Sequence, residues 1–254
     1  MRISCDQLEI GYSTRLQNPI TFSASRGELH AVVGPNGSGK TTLFNTVLGI
    51  IPPLAGHVST DGKLGALFQD RALPINVPVD RWVQHLARLW NAPINRQLLE
   101  RLQFSVDSTV IRRLSGGSAQ KLAIYTALHH NPDVAILDEP TNNLDAPSRE
   151  NLYDIINAMK NTGTSFLVSS HQANDIAALN AEVINFSNAL QLEHSALVTF
   201  SGAVVINELP DHIQGVQTAT GLLLTSITKS DFMETALSLA EKNGVTITSF
   251  QVLS

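Results

Sequence analysis

The stretch "LHAVVGPNGSGKTTLFNTVLG", residues 29 to 49, constrains the fold of this chain more than any other. "LHAVV" reads as a short buried strand, and "GPNGSGKT" fits the pattern G-x-x-x-x-G-K-[ST]. "TLFNTVLG" reads as a helix that Gly49 ends. Glycines in such a loop let backbone N–H groups turn inward around a phosphate. The helix that follows adds unpaired donors and the positive end of its dipole. Chance supplies the bare pattern in roughly one chain of this size per hundred, but not the strand before it and the helix after it. Residues Gly34, Pro35, Asn36, Gly37, Ser38, Gly39, Lys40, Thr41 and Thr42 are therefore candidate phosphate-binding residues. Lys40 can reach β- and γ-oxygens, and the Thr41 hydroxyl can ligate Mg²⁺.

"VAILDEP" supplies a second part of the same chemistry. An apolar strand ending in Asp138 puts a carboxylate near the cation of a phosphate-loop enzyme. Glu139 follows directly and points elsewhere, where it can polarise an attacking water. "LVSSH" places His171 at the end of the next strand, as a candidate donor to a γ-phosphate. Gln69, in "ALFQD", also stands at a strand end, where its amide can meet metal and water. Tyr12 lies about 22 residues before the loop, an aromatic that can stack on a base.

"RRLSGGSAQK", residues 112 to 121, poses a separate problem. Ser115, Gly116 and Gly117 stand before an apolar helical run, so they look like another anion cradle at a helix N-terminus. This cradle has no lysine of its own. One domain would then hold two cradles, one complete and one bare.

Elsewhere the chain alternates buried strands with helices, which predicts an α/β fold of phosphate-loop NTPase type around a mainly parallel sheet with ligands at the C-terminal strand ends. Residues 2 to 33 read as short strands of an N-terminal β subdomain. "HVSTDGKLGALFQ" reads as two strands around an Asp61-Gly62 turn. Residues from about 71 to 130 read as a mostly helical insertion. Asp145 and Pro147 are good starters for the helix "SRENLYDIINAMK". The pattern restarts after about Thr199 as a strand "GLLLTSI", an amphipathic helix "SDFMETALSLAEKNG" and a strand "VTITSFQVL". The expected division is residues 1 to 199 for the main domain and 200 to 254 for a small α/β appendage.

Composition narrows the partners. The 254 residues carry 17 Lys and Arg against 22 Asp and Glu, a formal net charge of -5. With no basic cluster longer than Arg112-Arg113, broad contact with a nucleic-acid backbone is not expected. Cys5 is the only cysteine, which removes disulfide frameworks and fits a reducing cytoplasm. "MRISCDQLEI" has no signal-peptide apolar core. No apolar run approaches the roughly 18 to 20 residues that span a bilayer, so any membrane role must come through a partner.

Taken together, Tyr12, "GPNGSGKT", Gln69, "LSGGS", "VAILDEP", "NNLD" and His171 occur in the order seen in ABC-transporter ATP-binding subunits, and the chain resembles that family over roughly residues 1 to 190. The resemblance implies ATP and Mg²⁺ as ligands and ATP hydrolysis as the reaction. It implies a second ATP-binding subunit, paired head to tail as a homo- or heterodimer, and separate transmembrane permease subunits. It also implies a cytoplasmic site, peripheral on the inner face of the cell membrane. Ser115, Gly116 and Gly117 would then hold the γ-phosphate of the ATP seated in the partner's loop, and "NNLD" would cross the interface. Ser118 stands where Gln or Glu is commoner. The helical tract soon after Gln69 and the short strand–helix–strand tail are similar to those of bacterial small-molecule, drug or peptide exporters. The alternatives are an importer ATPase and a soluble ABC ATPase of iron–sulfur assembly type.

Overall fold

The computed structural model describes residues 1–12, 15–170, 173–186, 194–202, 204, 213–218, 221–226 and 231–252. It divides into two compact units, Met1–Phe186 and Ser187–Ser254.

The first unit carries two sheets. Strands β1 (Ile3–Glu9), β2 (Ile20–Ala24) and β4 (Ala55–Thr60) form an antiparallel sheet in the order β2-β1-β4. Strands β3 (Leu29–Val33), β5 (Leu64–Leu67), β6 (Val134–Leu137), β7 (Ser165–Ser169) and β8 (Glu182–Asn185) form a parallel sheet in the order β5-β6-β7-β3-β8. The Asp61-Gly62 turn thus separates strands of two different sheets. β4 pairs with β1 and β5 with β6, because β5 is apolar on both faces and is taken into the buried parallel sheet.

The parallel strands feed two cores by strict alternation. Ala135, Leu137, Phe166 and Val168 face one apolar cluster, and Val134, Ile136, Leu167 and Val32 face the other. The second cluster takes in the antiparallel sheet and α1 (Lys40–Val47). The first takes in α2 (Val79–Leu89), α3 (Arg96–Arg101), α4 (Gly116–Leu128) and α5 (Ala146–Thr162). The helical insertion therefore shares one continuous core with the sheet. Its first residues, 71 to 78, are not helical; Arg71 and Ala72 hold left-handed backbone, φ 63° and 43°. Asp145 caps α5 through the N–H of Ser148, Pro147 follows within its first turn, and Gly163 ends it at φ 107°. A short helix α6 (Ala173–Leu179) precedes β8.

The second unit is a four-stranded antiparallel sheet, β10-β11-β9-β12, built from β9 (His194–Phe200), β10 (Ile213–Thr218), β11 (Gly221–Ser226) and β12 (Ile247–Val252). Helix α7 (Asp231–Asn243) packs on it around Val198, Leu222, Ala236 and Leu239. The expected break at residue 199 falls inside this sheet. β9 belongs to it because Val198 pairs with both Leu222 and Phe250.

Candidate functional site

Four parallel strands end on one edge, and each hands its next residues to the site. β3 leads into Gly34, β5 into Gln69, β6 into Asp138 and β7 into Ser170. This edge of an open α/β sheet is where ligands bind.

Lys40 opens α1, and its ammonium donates to the carbonyl oxygens of Gly34 at 2.8 Å and Pro35 at 2.9 Å. Pro35, Asn36 and Gly37 are exposed at the loop's crest, whereas Ser38, Gly39 and Lys40 are buried. The buried Ser38 hydroxyl has no protein partner, and the Gln17 side chain fixes the Ser38 carbonyl by a 2.7 Å bond. A Cβ at Gly34 would stand 2.8 Å from both the Phe186 Cβ and the Ser38 Oγ. A cation, an unsatisfied hydroxyl and a helix start with no side-chain cap are thus gathered around one loop, a donor set that suits a polyphosphate.

Thr41 joins the loop to the acidic strand end. Its hydroxyl donates to Asp138 Oδ2 at 2.7 Å, and Ser169 Oγ donates to Asp138 Oδ1 at 2.5 Å. Hydroxyl and carboxylate oxygens at one point are hard donors that fit Mg²⁺. Among the described residues no group of three or more His, Cys, Asp or Glu forms a metal cluster. Thr41 and Asp138 would hold such a cation, which would supply charge neutralisation to a bound phosphate.

Glu139 is held differently from its neighbour. Its backbone is left-handed, φ 49°, immediately before Pro140, and its N–H donates to Ser169 Oγ at 2.8 Å. Asn142 Nδ2 donates to its carboxylate at 2.5 Å. Ser169 therefore grips both acids at once, one through its proton and one through its lone pair.

A second buried network lies behind the acids. Asp175, on α6, accepts from Thr141 Oγ1 at 2.8 Å, Ser170 Oγ at 2.7 Å and Tyr153 OH at 2.5 Å. Burial and this carboxylate push the Tyr153 phenol well above its ordinary pKa. Sequence reasoning settled on His171 and passed over Gln17, Ser169, Ser170 and Asp175. Two serines ending a buried strand were a signal, since hydroxyls there need partners. Gln17 offered none.

The remaining candidates are placed less tightly. Gln69 is exposed, two residues beyond the end of β5, whose last residue, Leu67, pairs with Leu137 at the end of β6. Tyr12 is 73% exposed. His171 lies outside the described residues.

Ser115 caps α4. Its Oγ accepts from the Ser118 N–H at 3.1 Å and donates to the Ser118 Oγ at 2.9 Å. Ser118 thus fills the third position of a capping box with a hydroxyl in place of a longer side chain. Ser115 and Gly116 are exposed, and a Cβ on Gly116 would meet nothing closer than Asn143 at 3.7 Å. No hydrogen bond joins residues 115 to 117 to the Lys40 loop among the described residues.

Comparison with known proteins agrees with this geometry. The profile of the family described as ABC transporter matches residues 17–142. An uncharacterized ABC transporter ATP-binding protein of Methanocaldococcus jannaschii is 33% identical over 177 residues, 67% of this chain and 68% of that one. The zinc import ATP-binding protein ZnuC of Buchnera aphidicola is 29% identical over 188 residues, covering 72% and 79%. Among solved structures, an ATP-binding subunit of an ABC transporter superposes with a TM-score of 0.69 at 22% identity, covering 74% of this chain and 87% of that one. The chain belongs to the ABC transporter ATP-binding proteins, and it is an ATPase. No helix among the described residues is long and apolar enough to cross a membrane.

Proposed function

We propose that this chain powers a membrane transporter by closing head to tail on a second ATP-binding subunit around two ATP molecules. The observation that carries the proposal is the inequality of the two cradles. The Lys40 loop is tied to Asp138 of its own chain, while Ser115 and Gly116 stand exposed and no hydrogen bond among the described residues links them to that loop. A cradle without a cation fits a phosphate whose charge is met elsewhere.

In this reading Lys40 and the N–H groups of residues 34 to 42 hold the β- and γ-phosphates. Thr41 and Asp138 hold Mg²⁺, with Gln69 beside them, and the ion supplies charge neutralisation at the phosphate oxygens. Glu139 orients the attacking water and takes its proton, and His171 contacts the γ-phosphate. Tyr12 stacks on the base. The partner's Ser115, Gly116 and Gly117 close the far side, Ser115 redirecting its proton from Ser118 to the phosphate. One structural relative, at a TM-score of 0.65 and 20% identity, is a dimeric ABC transporter cassette.

Relatives named as zinc import ATP-binding proteins, 29% identical in Buchnera aphidicola and 30% in Yersinia pestis, support uptake of a divalent metal ion. The export reading rests on the helical tract that follows Gln69 and on the short C-terminal unit. Purification of the tagged chain in detergent should bring down a multi-span membrane protein. Recovery of the chain alone, with full ATP turnover, would count against a transporter. Disruption of the gene should then lower zinc uptake; raised accumulation of an expelled compound would favour export.

A further inference from the structure

Gln120 lies on α4, four residues after Gly116, and is 3% exposed. Neither the phosphate chemistry nor the helix cap uses it, yet both ends of its amide are engaged. Its Nε2 donates to the Pro140 carbonyl at 2.9 Å, and its Oε1 accepts from Arg71 Nε at 2.9 Å. Pro140 directly follows Glu139, and Arg71 stands two residues after Gln69.

Both partners belong to strained backbone. Glu139 is left-handed at φ 49° and precedes a proline, while Arg71 and Ala72 are left-handed at 63° and 43°. Non-glycine residues in this region cost on the order of 1 kcal/mol or more each and persist only where their surroundings hold them. The Glu139–Pro140 unit is clamped from two sides, by Ser169 on the Glu139 N–H and by Gln120 on the Pro140 carbonyl. Since α4 is a continuous helix, movement of its N-terminal cradle reaches Gln120 about 6 Å down the axis as a rigid displacement.

We propose that Gln120 is a positioning residue for hydrolysis: its buried amide ties the helix carrying the Ser115–Gly117 cradle to the backbone behind Glu139 and to the segment beyond Gln69. A cradle that seats on a partner's γ-phosphate thereby adjusts the acid of its own site, so each half of the dimer reports to the other. This rests on the head-to-tail reading above.

The test uses the purified full chain. Gln120→Met keeps the length and removes both bonds. Gln120→Glu keeps an acceptor for Arg71 and loses the donor to Pro140. Each should lower kcat by about 10- to 100-fold, the scale of a misplaced catalytic group. ATP affinity of the monomer should stay within about twofold, and the Hill coefficient for ATP should fall toward about 1. Arg71→Met should add little to Gln120→Met, because the two share one contact. Wild-type kcat and cooperativity in both variants would overturn the proposal. So would a loss of kcat that merely tracks a loss of folded protein by thermal melting. A Gly116→Asp chain assayed alongside separates the two claims. If it still closes into dimers with ATP, the head-to-tail reading fails. If closure is lost there while Gln120→Met turns over normally, only the role of Gln120 fails.

Discussion

The two cradles are both helix N-termini, and their differences lie in what surrounds them. α1 begins at Gly39 in left-handed backbone with no side-chain cap, with Lys40 buried beside it and Asp138 bonded through Thr41. α4 begins at Ser115 in extended backbone, and its cap is satisfied by Ser118 in the same turn. The first leaves its donors unpaired around an internal charge; the second keeps them capped and turned outward. On the proposed reading, identical backbone chemistry gives a site in one place and half a site in the other. The difference is whether the chain itself brings the cation and the acid.

The largest effect expected from breaking this contrast is at Glu139. Glu139→Gln should lower turnover by about two or more orders of magnitude, as loss of an acid–base group does. ATP binding should persist, because Lys40, Thr41 and Asp138 are untouched. Unchanged hydrolysis in a steady-state assay would move the base elsewhere.

Lys40→Ala comes next. It removes a charge-assisted donor worth roughly 1.5–3 kcal/mol, so ATP affinity measured by calorimetry should fall by about 10- to 100-fold. Arg112→Ala, near the second cradle, should leave it unchanged; equal losses would erase the contrast.

A smaller and purely steric difference separates the glycines. Gly34→Ala forces its Cβ against Phe186 and Ser38, each at 2.8 Å, and overpacking of this kind costs about 1–3 kcal/mol. Gly116→Ala meets only ordinary contact at 3.7 Å and should stay within about 0.5 kcal/mol. Denaturant titration of both variants decides this.

The smallest effect lies at the far end of α4. His129 is buried against Tyr125 and His130, and burial first, then His130, pulls its pKa from 6.5 down to about 4. His130 stacks on Trp90 at 3.8 Å, donates Nε2–H to the Leu64 carbonyl and faces Lys63; its pKa is lowered too. The unfolded chain then binds protons that the folded one refuses. The contribution of His129 to stability is fully present above about pH 6.5 and is lost as pH falls toward about 4. Melting temperature should drop across that window, and His129→Phe should flatten the drop. A flat wild-type profile would remove this contribution.

Much of the candidate site was legible because its chemistry is local. A phosphate loop needs its glycines, lysine and threonine within eight residues, and an acid pair after an apolar strand needs only that strand. What escaped was carried by long-range contacts. Gln17, Ser169, Ser170, Asp175 and Gln120 are polar residues whose partners lie 20 or more positions away or on another element, and no periodicity marks them. The fold followed the same division. Asp145, Pro147 and Gly163 announced α5, whereas the boundary near residue 199 falls within β9 and the strand–helix–strand reading of the appendage left out β10. β10, "IQGVQT", is half polar and interrupted by glycine, and β9 gains its meaning only from pairing with β11 and β12.

The central claim is that residues 115 to 117 serve a partner's nucleotide, and solution mass with excess ATP tests it most directly. In a Glu139→Gln background the chain should accumulate as closed dimers. Adding Ser115→Arg or Gly116→Asp places bulk or negative charge at the γ-phosphate position, and should yield ATP-bound monomers with unchanged affinity. Mixing Lys40→Ala with Gly116→Asp chains should restore at most one competent site per heterodimer. A Gly116→Asp chain that still closes around two ATP molecules, or that loses ATP as a monomer, would show that the cradle serves its own nucleotide.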